Sequence, residues 1–289
     1  MSTVPTAPPS PTLKSSTNTE RAVMTTQPTT TDIRPRVGQA LPARQPVSFL
    51  RTVHVELRKM VDTLAGRWLI IVTLLIAALI MGAFLWFESG PTHNTLDLFS
   101  IVVLPFGILL PVIGVMAATA EWSQRAGLVT FTLEPRRWRV IAARVLAGSL
   151  LGLVVVAMSF VLAYVIGGAA NLLGGSVSYG VDGWLLFGLL VMLLLTVVQG
   201  IAFGFLFLNT PAAIVAILAL PMIWQIGGQL SRRVMDLVPW LDLNVATQLL
   251  ESIPEATGRQ WAQLGTAVAV GILLPLAIGS WRVIRGEVK

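Results

Sequence analysis

The chain has 289 residues, of which 55% are hydrophobic and only 12% charged, with a formal net charge of +6 and no cysteine. Soluble domains carry about 25% charged residues, so a water-soluble globule is excluded, and the missing thiols exclude disulfides, thiolate metal centres and cysteine nucleophiles. A basic excess in a soluble protein would suggest nucleic acid. In an apolar chain it has another use, because basic residues hold loops on the cytoplasmic side of a membrane.

Residues 1–46 are rich in Pro, Thr and Ser, as in Thr25–Thr26–Gln27–Pro28–Thr29, and have no apolar face to bury. They read as a disordered cytoplasmic tail. The next stretch, 47–67, runs VSFLRTVHVELRKMVDTLAGR. Phe49, Leu50, Val53, Leu57, Met60, Val61 and Leu64 fall at helical spacing, while Arg51, Arg58, Lys59 and Arg67 point elsewhere. This predicts an amphipathic helix in the membrane interface, with Arg58, Lys59 and Arg67 on its basic side.

From 68 to 289 the pattern is that of an all-α, six-span transmembrane domain. The spans fall at about 68–87, 99–120, 145–170, 184–208, 211–228 and 261–281, each long enough to cross a hydrocarbon core of roughly 30 Å. Apolar sequence runs almost unbroken from Trp184 to Gly228, which as one helix would reach about 65 Å. Asn209–Thr210–Pro211 predicts a tight hairpin there, because the residue before proline avoids helical angles. With the N-terminus inside, all of the 20 Lys and Arg residues except Arg232, Arg233 and Arg259 lie on the cytoplasmic side. That asymmetry places both termini in the cytoplasm.

The chemistry is sparse. The spans so drawn hold no Asp, Glu, Lys, Arg or His, Arg144 falling just before the third. Ion-coupled carriers usually need such groups, and no catalytic constellation is visible, so an enzyme is not expected. His54 and His93 read as isolated surface groups. Gly148-xxx-Gly152 and Gly200-xxx-Gly204 suit close helix packing, and Pro105, Pro111, Pro221 and Pro275 suit kinks.

Two segments between spans carry more information. EWSQRAGLVTFTLEPRRWR, residues 121–139, is long for a connection and mixes charge with Trp122 and Trp138, which reads as a cytoplasmic helix with a docking surface. Residues 229–260 are divided by Pro239 and Pro254 yet still carry Val234, Leu237, Val238, Trp240, Leu241 and Leu243. They predict short outer re-entrant helices before the last span.

This layout resembles the membrane subunit of bacterial ATP-binding cassette exporters of the type-2 permease family, with the type V exporter fold. The resemblance covers about 47–289 and rests on the VELRKMVDTLAGRW run, on EWSQRAGLVTFTLEPRRWRVIAAR, and on the re-entrant segment. It implies that 121–139 is a coupling helix seated in a cytosolic ATPase subunit, with Glu121, Arg125, Gly127, Thr132 and Arg137 at the contact. It also implies a second permease copy or a paralogue, membrane lipids as surroundings, an amphipathic or lipophilic cargo, and a bacterial cell membrane location. No cofactor is expected in this chain, nor any nucleic-acid partner. ATP and Mg would bind the partner ATPase, since no GxxxxGK[ST] phosphate loop occurs here. The stretch Ile226–Gly227–Gly228–Gln229–Leu230–Ser231 superficially imitates the cassette signature LSGGQ, a coincidence in a chain without that loop. An ion-gradient carrier and a non-transporting scaffold or immunity protein are the competing readings.

Overall fold

Thr63 decides how the chain enters the bundle. In the computed structural model, which describes residues 48–87, 93–123 and 137–285 (the side chains of 121–123 and 137 excepted), α1 (Phe49–Asp62) stops where Thr63 leaves helical angles, and α2 (Leu64–Phe87) starts at once. The Thr63 hydroxyl donates to the Met60 carbonyl at 3.1 Å and accepts from the Gly66 N–H at 3.1 Å. A Cβ at position 66 would collide with that same carbonyl. The elbow therefore needs glycine, and it sits inside the stretch that sequence periodicity reads as one helix over 47–67.

The remaining elements are β1 (His93–Asn94), α3 (Thr95–Ser100), α4 (Val103–Ser123), α5 (Arg137–Leu172), β2 (Val177–Ser178), α6 (Gly183–Phe207), α7 (Thr210–Leu230), α8 (Arg232–Leu241), α9 (Leu243–Ala246), a 3-10 segment (Thr247–Glu255), α10 (Gly258–Val268), a π turn (Ala269–Leu273) and α11 (Leu274–Arg285). Among the described residues, six helices are long and apolar enough to cross a membrane: α2, α4, α5, α6, α7 and the run from α10 through α11. The protein is an all-α, multi-pass membrane protein. The two short strands pair in parallel, His93 opposite Val177 and Asn94 opposite Ser178. The tail 1–46 lies outside the described residues.

The hairpin between α6 and α7 forms at the expected place. Leu208 adopts a left-handed conformation (φ 52°), the Asn209 carboxamide accepts from the Ala212 N–H at 3.1 Å, and Pro211 occupies the first turn of α7. Asn209 thus caps the new helix, as its type favours.

Helix α6 is the hub, the most enclosed of the six spans at 56% buried. Lipid tails are as apolar as leucine, so spans associate through close packing rather than through the hydrophobic effect. Glycine supplies the closeness. Gly200 abuts the Pro111 carbonyl of α4, Gly204 the Ala118 side chain, and Gly114 of α4 the Val197 carbonyl; a Cβ at any of them would clash. Gly279 of α11 meets the Phe205 backbone, and Gly148 and Gly152 of α5 receive Ile201 and Val197. Both glycine pairs recognised in the sequence are therefore helix seams. Their register shows α4 and α11 running parallel to α6, and α5 antiparallel.

Pro111 and Pro221 lie inside α4 and α7. Pro275 explains the π turn. It has no N–H to offer the Gly271 carbonyl, and its ring would press on that carbonyl in a regular turn. The backbone widens by one residue instead, so that the Leu274 N–H reaches the Ala269 carbonyl.

The bundle has two ends. The near end gathers α1, the start of α5, the Leu208–Asn209 turn and the end of α11. The far end gathers β1, β2 and residues 231–257. There, α8 folds back on α7 where Gly227 and Gly228 face Val234 and Met235, which accounts for the glycine pair inside the LSGGQ-like stretch. The 3-10 segment seats the Leu250 carbonyl against Gly188 of α6. The short helices expected over 229–260 are present, but α7 continues to Leu230 and α10 begins at Gly258.

Gly200→Val should lower thermal stability in detergent sharply, by about 1–3 kcal/mol or more, because rigid backbone faces the new side chain. Gly107→Ala, which meets nothing within 4 Å, should leave the melting temperature unchanged; fluorescence-detected size-exclusion melts check both.

Candidate functional site

The least expected feature is a charge pair inside the near end. Helix α5 begins at Arg137, well before the third span expected from hydropathy, and so carries Arg144 within it. Arg144 is only 2% exposed. Its Nε donates to Glu56 Oε2 of α1 at 3.0 Å, and its Nη1 to the Ala118 carbonyl of α4 at 3.4 Å. Glu56, 3% exposed, receives Lys59 Nζ on its other oxygen at 2.8 Å. The spanning helix thus extends well ahead of the stretch 145–170 expected from hydropathy and brings a buried arginine with it, whose counter-ion comes from the amphipathic helix.

Helix α1 therefore does more than float in the interface. Its inward face is Val53, Glu56 and Met60, packed against the bundle, while Leu50 and Leu64 of the expected apolar face stay exposed. Hydrophobic periodicity picks out Val53 and Met60, with Phe49 and Leu57 packed beside them, but misses Glu56 because that inward position is a carboxylate. A buried guanidinium without a partner would cost several kcal/mol, so α1 cannot leave α5 cheaply.

Other polar contacts close the same end. The Thr119 and Thr210 hydroxyls meet at 2.7 Å, joining α4 to α7. Arg282 Nη1 donates to the Leu206 carbonyl at 2.6 Å, joining α11 to α6. Of the sequence-assigned basic residues, Arg58 pairs with Asp62 at 3.1 Å on the surface. Arg67 donates to the Val61 carbonyl at 2.9 Å and meets Asp62 at 3.3 Å, bracing the elbow. Lys59 is itself exposed and reaches in to the buried Glu56. Glu121 and Arg137 sit on the last turn of α4 and the first residue of α5, with their side chains outside the description. Arg125, Gly127 and Thr132 lie outside the described residues. His54 is exposed, and His93 packs edge-on against Phe84 with ring centroids 5.0 Å apart.

Away from the near end, Gln199 is a buried amide on the hub helix, 6% exposed, beside Gly271 of the π turn. At the far end Asp242 is buried. It caps α9 by accepting from the Asn244 N–H at 3.0 Å, and burial raises its pKa above the ordinary carboxylate value. Among the described residues no cluster of three His, Asp or Glu is placed to hold a metal ion.

No protein-family model matches this sequence. No curated protein matches it either.

Removing one member of the buried pair, as in Arg144→Met, should destabilise the protein by about 3–5 kcal/mol. The double change Glu56→Leu with Arg144→Met should recover much of that loss, and thermal melts of the double-mutant cycle measure it. Asp242→Asn keeps a capping side chain. The raised folded-state pKa means that the protonated acid favours folding and that this contribution fades as pH rises through that value. The variant should thus gain on the parent as pH rises from 4 to 8, which melting curves across pH would show.

Proposed function

We propose that this chain is the membrane-spanning permease subunit of an ATP-driven exporter, working with separate cytosolic ATPase subunits that bind ATP and Mg. The near end then faces the cytoplasm of a bacterial cell, and two permease copies, or one with a paralogue, enclose the pathway. The cargo is amphipathic or lipophilic.

The observation that carries this reading is the Glu56–Arg144 pair with its tie to Ala118. Motion imposed on the basic helix α1, or on the connection between α4 and α5, reaches both helices through one buried contact. Such a contact transmits force because each partner is held in fixed geometry and cannot be solvated in place. A bundle braced at the Leu206 carbonyl and at Thr119–Thr210 moves as one piece. Nucleotide then drives transport only if it favours one arrangement of that bundle over another.

The experiment is co-expression with candidate cassette ATPases, followed by copurification and cargo-stimulated hydrolysis in proteoliposomes. Glu121→Ala and Arg125→Ala should weaken copurification. Glu56→Gln should leave the ATPase bound while lowering cargo-stimulated hydrolysis about tenfold, equivalent to roughly 1.4 kcal/mol of coupling. Cargo movement without any ATPase, driven by a proton or sodium gradient, would replace this reading with a secondary carrier.

A further inference from the structure

At the far end, a cavity of about 240 Å³ opens between α8, α9, the 3-10 segment and α10. Its apolar walls include Ala246 and Leu249, and its polar walls are Gln248, Ser252, Gln260 and Gln263. No charged side chain lines it among the described residues. Three carboxamides and a hydroxyl around one cavity form a neutral wall able both to donate and to accept hydrogen bonds.

The amides are set up differently. Gln260 closes the capping box of α10: its Oε1 accepts from the Thr257 N–H and from the Thr257 hydroxyl, both at 2.8 Å. That fixes its orientation and leaves the NH2 group as a donor. The side chains of Gln248, Ser252 and Gln263 hydrogen-bond to no other described residue, and Gln248 and Ser252 are exposed at the mouth of the recess, so all three are available to a guest. Ser252 stands at a break in the 3-10 segment (φ −136°, ψ 54°) just before Pro254, which turns it out of the helical path.

Size and position narrow the ligand. Sites that engulf a drug-sized molecule measure about 300–1,000 Å³, so this one takes a single ring-sized group. Trp261, beside Gln260, and Trp184, at the start of α6, are 45% and 60% exposed at this end, as aromatic residues at the headgroup level of a membrane are. A headgroup-level position for these two tryptophans would bring the cavity within reach of the polar head of a bilayer amphiphile.

We propose that this cavity binds an uncharged, hydroxyl-rich group of sugar size, with its hydroxyls on Gln248, Gln260 and Gln263 and its C–H face on Ala246 and Leu249. The site is independent of whether the chain couples to an ATPase, since it needs only the far-end segment.

The test uses the full chain in phosphatidylcholine nanodiscs doped with monoglucosyl diacylglycerol, read by native mass spectrometry. The glucosyl lipid should be retained about tenfold or more over plain diacylglycerol and over phosphatidylglycerol. Gln248→Ala with Gln263→Ala should abolish the preference, and Gln263→Glu, of equal size but charged, should weaken it even if the double variant does not fold. Competition by free glucose would show that the sugar alone suffices; its failure would show that the lipid tail contributes, and both support the site. Equal retention of all three lipids, or an unchanged preference in the folded variants, would overturn it and leave a water-filled recess.

Discussion

Backbone-to-backbone contact along α6 is the constraint on which the rest of this membrane domain depends. In a bilayer, apolar side chains gain nothing by leaving lipid for protein, so helices hold together only where they fit closely. Here the fit comes from a glycine on at least one side of each seam: Gly114 with Gly200 and Gly204 between α4 and α6, Gly279 of α11 against Phe205, and Gly148 and Gly152 of α5 against Ile201 and Val197. Helices α2 and α7, each 17% buried, are the least enclosed spans. The hub fixes where every other span stands, and through them where the polar contacts of both ends meet.

The Glu56–Arg144 pair solves a different problem. Helix α1 is too short and too polar to bury itself by apolar area alone, and much of its hydrophobic surface faces outward. One buried ion pair, 3.0 Å between Arg144 Nε and Glu56 Oε2, holds it in a single register. Ion pairs of this kind contribute specificity more surely than stability. The arrangement therefore suits an element that must sit in one place rather than one that must merely stick.

Most of the architecture was legible in the sequence. Hydropathy found six spans, and Asn209–Thr210–Pro211 marked the hairpin because its break is local chemistry. The glycine pairs announced close helix seams for the same reason. What escaped was long-range. Arg144 was assigned to a loop because charge normally ends a span, and only the fold brings Glu56 close enough to keep it inside. Gly66 gave no warning of the elbow, since a lone glycine in a helical pattern is ambiguous until its neighbouring carbonyl is placed. The widened turn before Pro275 was read simply as a kink. The far-end cavity was equally hidden, because Gln260 and Gln263 of α10 meet Gln248 of the 3-10 segment only once the chain between them has folded back.

The π turn has a further consequence for how this protein can vary. It amounts to one extra residue within the last span, and each residue of a regular helix turns the chain through about 100°. Losing a single residue anywhere in 269–273 would close the turn on Pro275 and swing the whole of α11 by roughly that angle. Gly279 would rotate off the Phe205 backbone and Arg282 off the Leu206 carbonyl, two contacts that both lie downstream of the insertion. The length of this one segment is thus phased to the hub, so that tolerance to insertion and deletion ends abruptly there, however bland its side chains look.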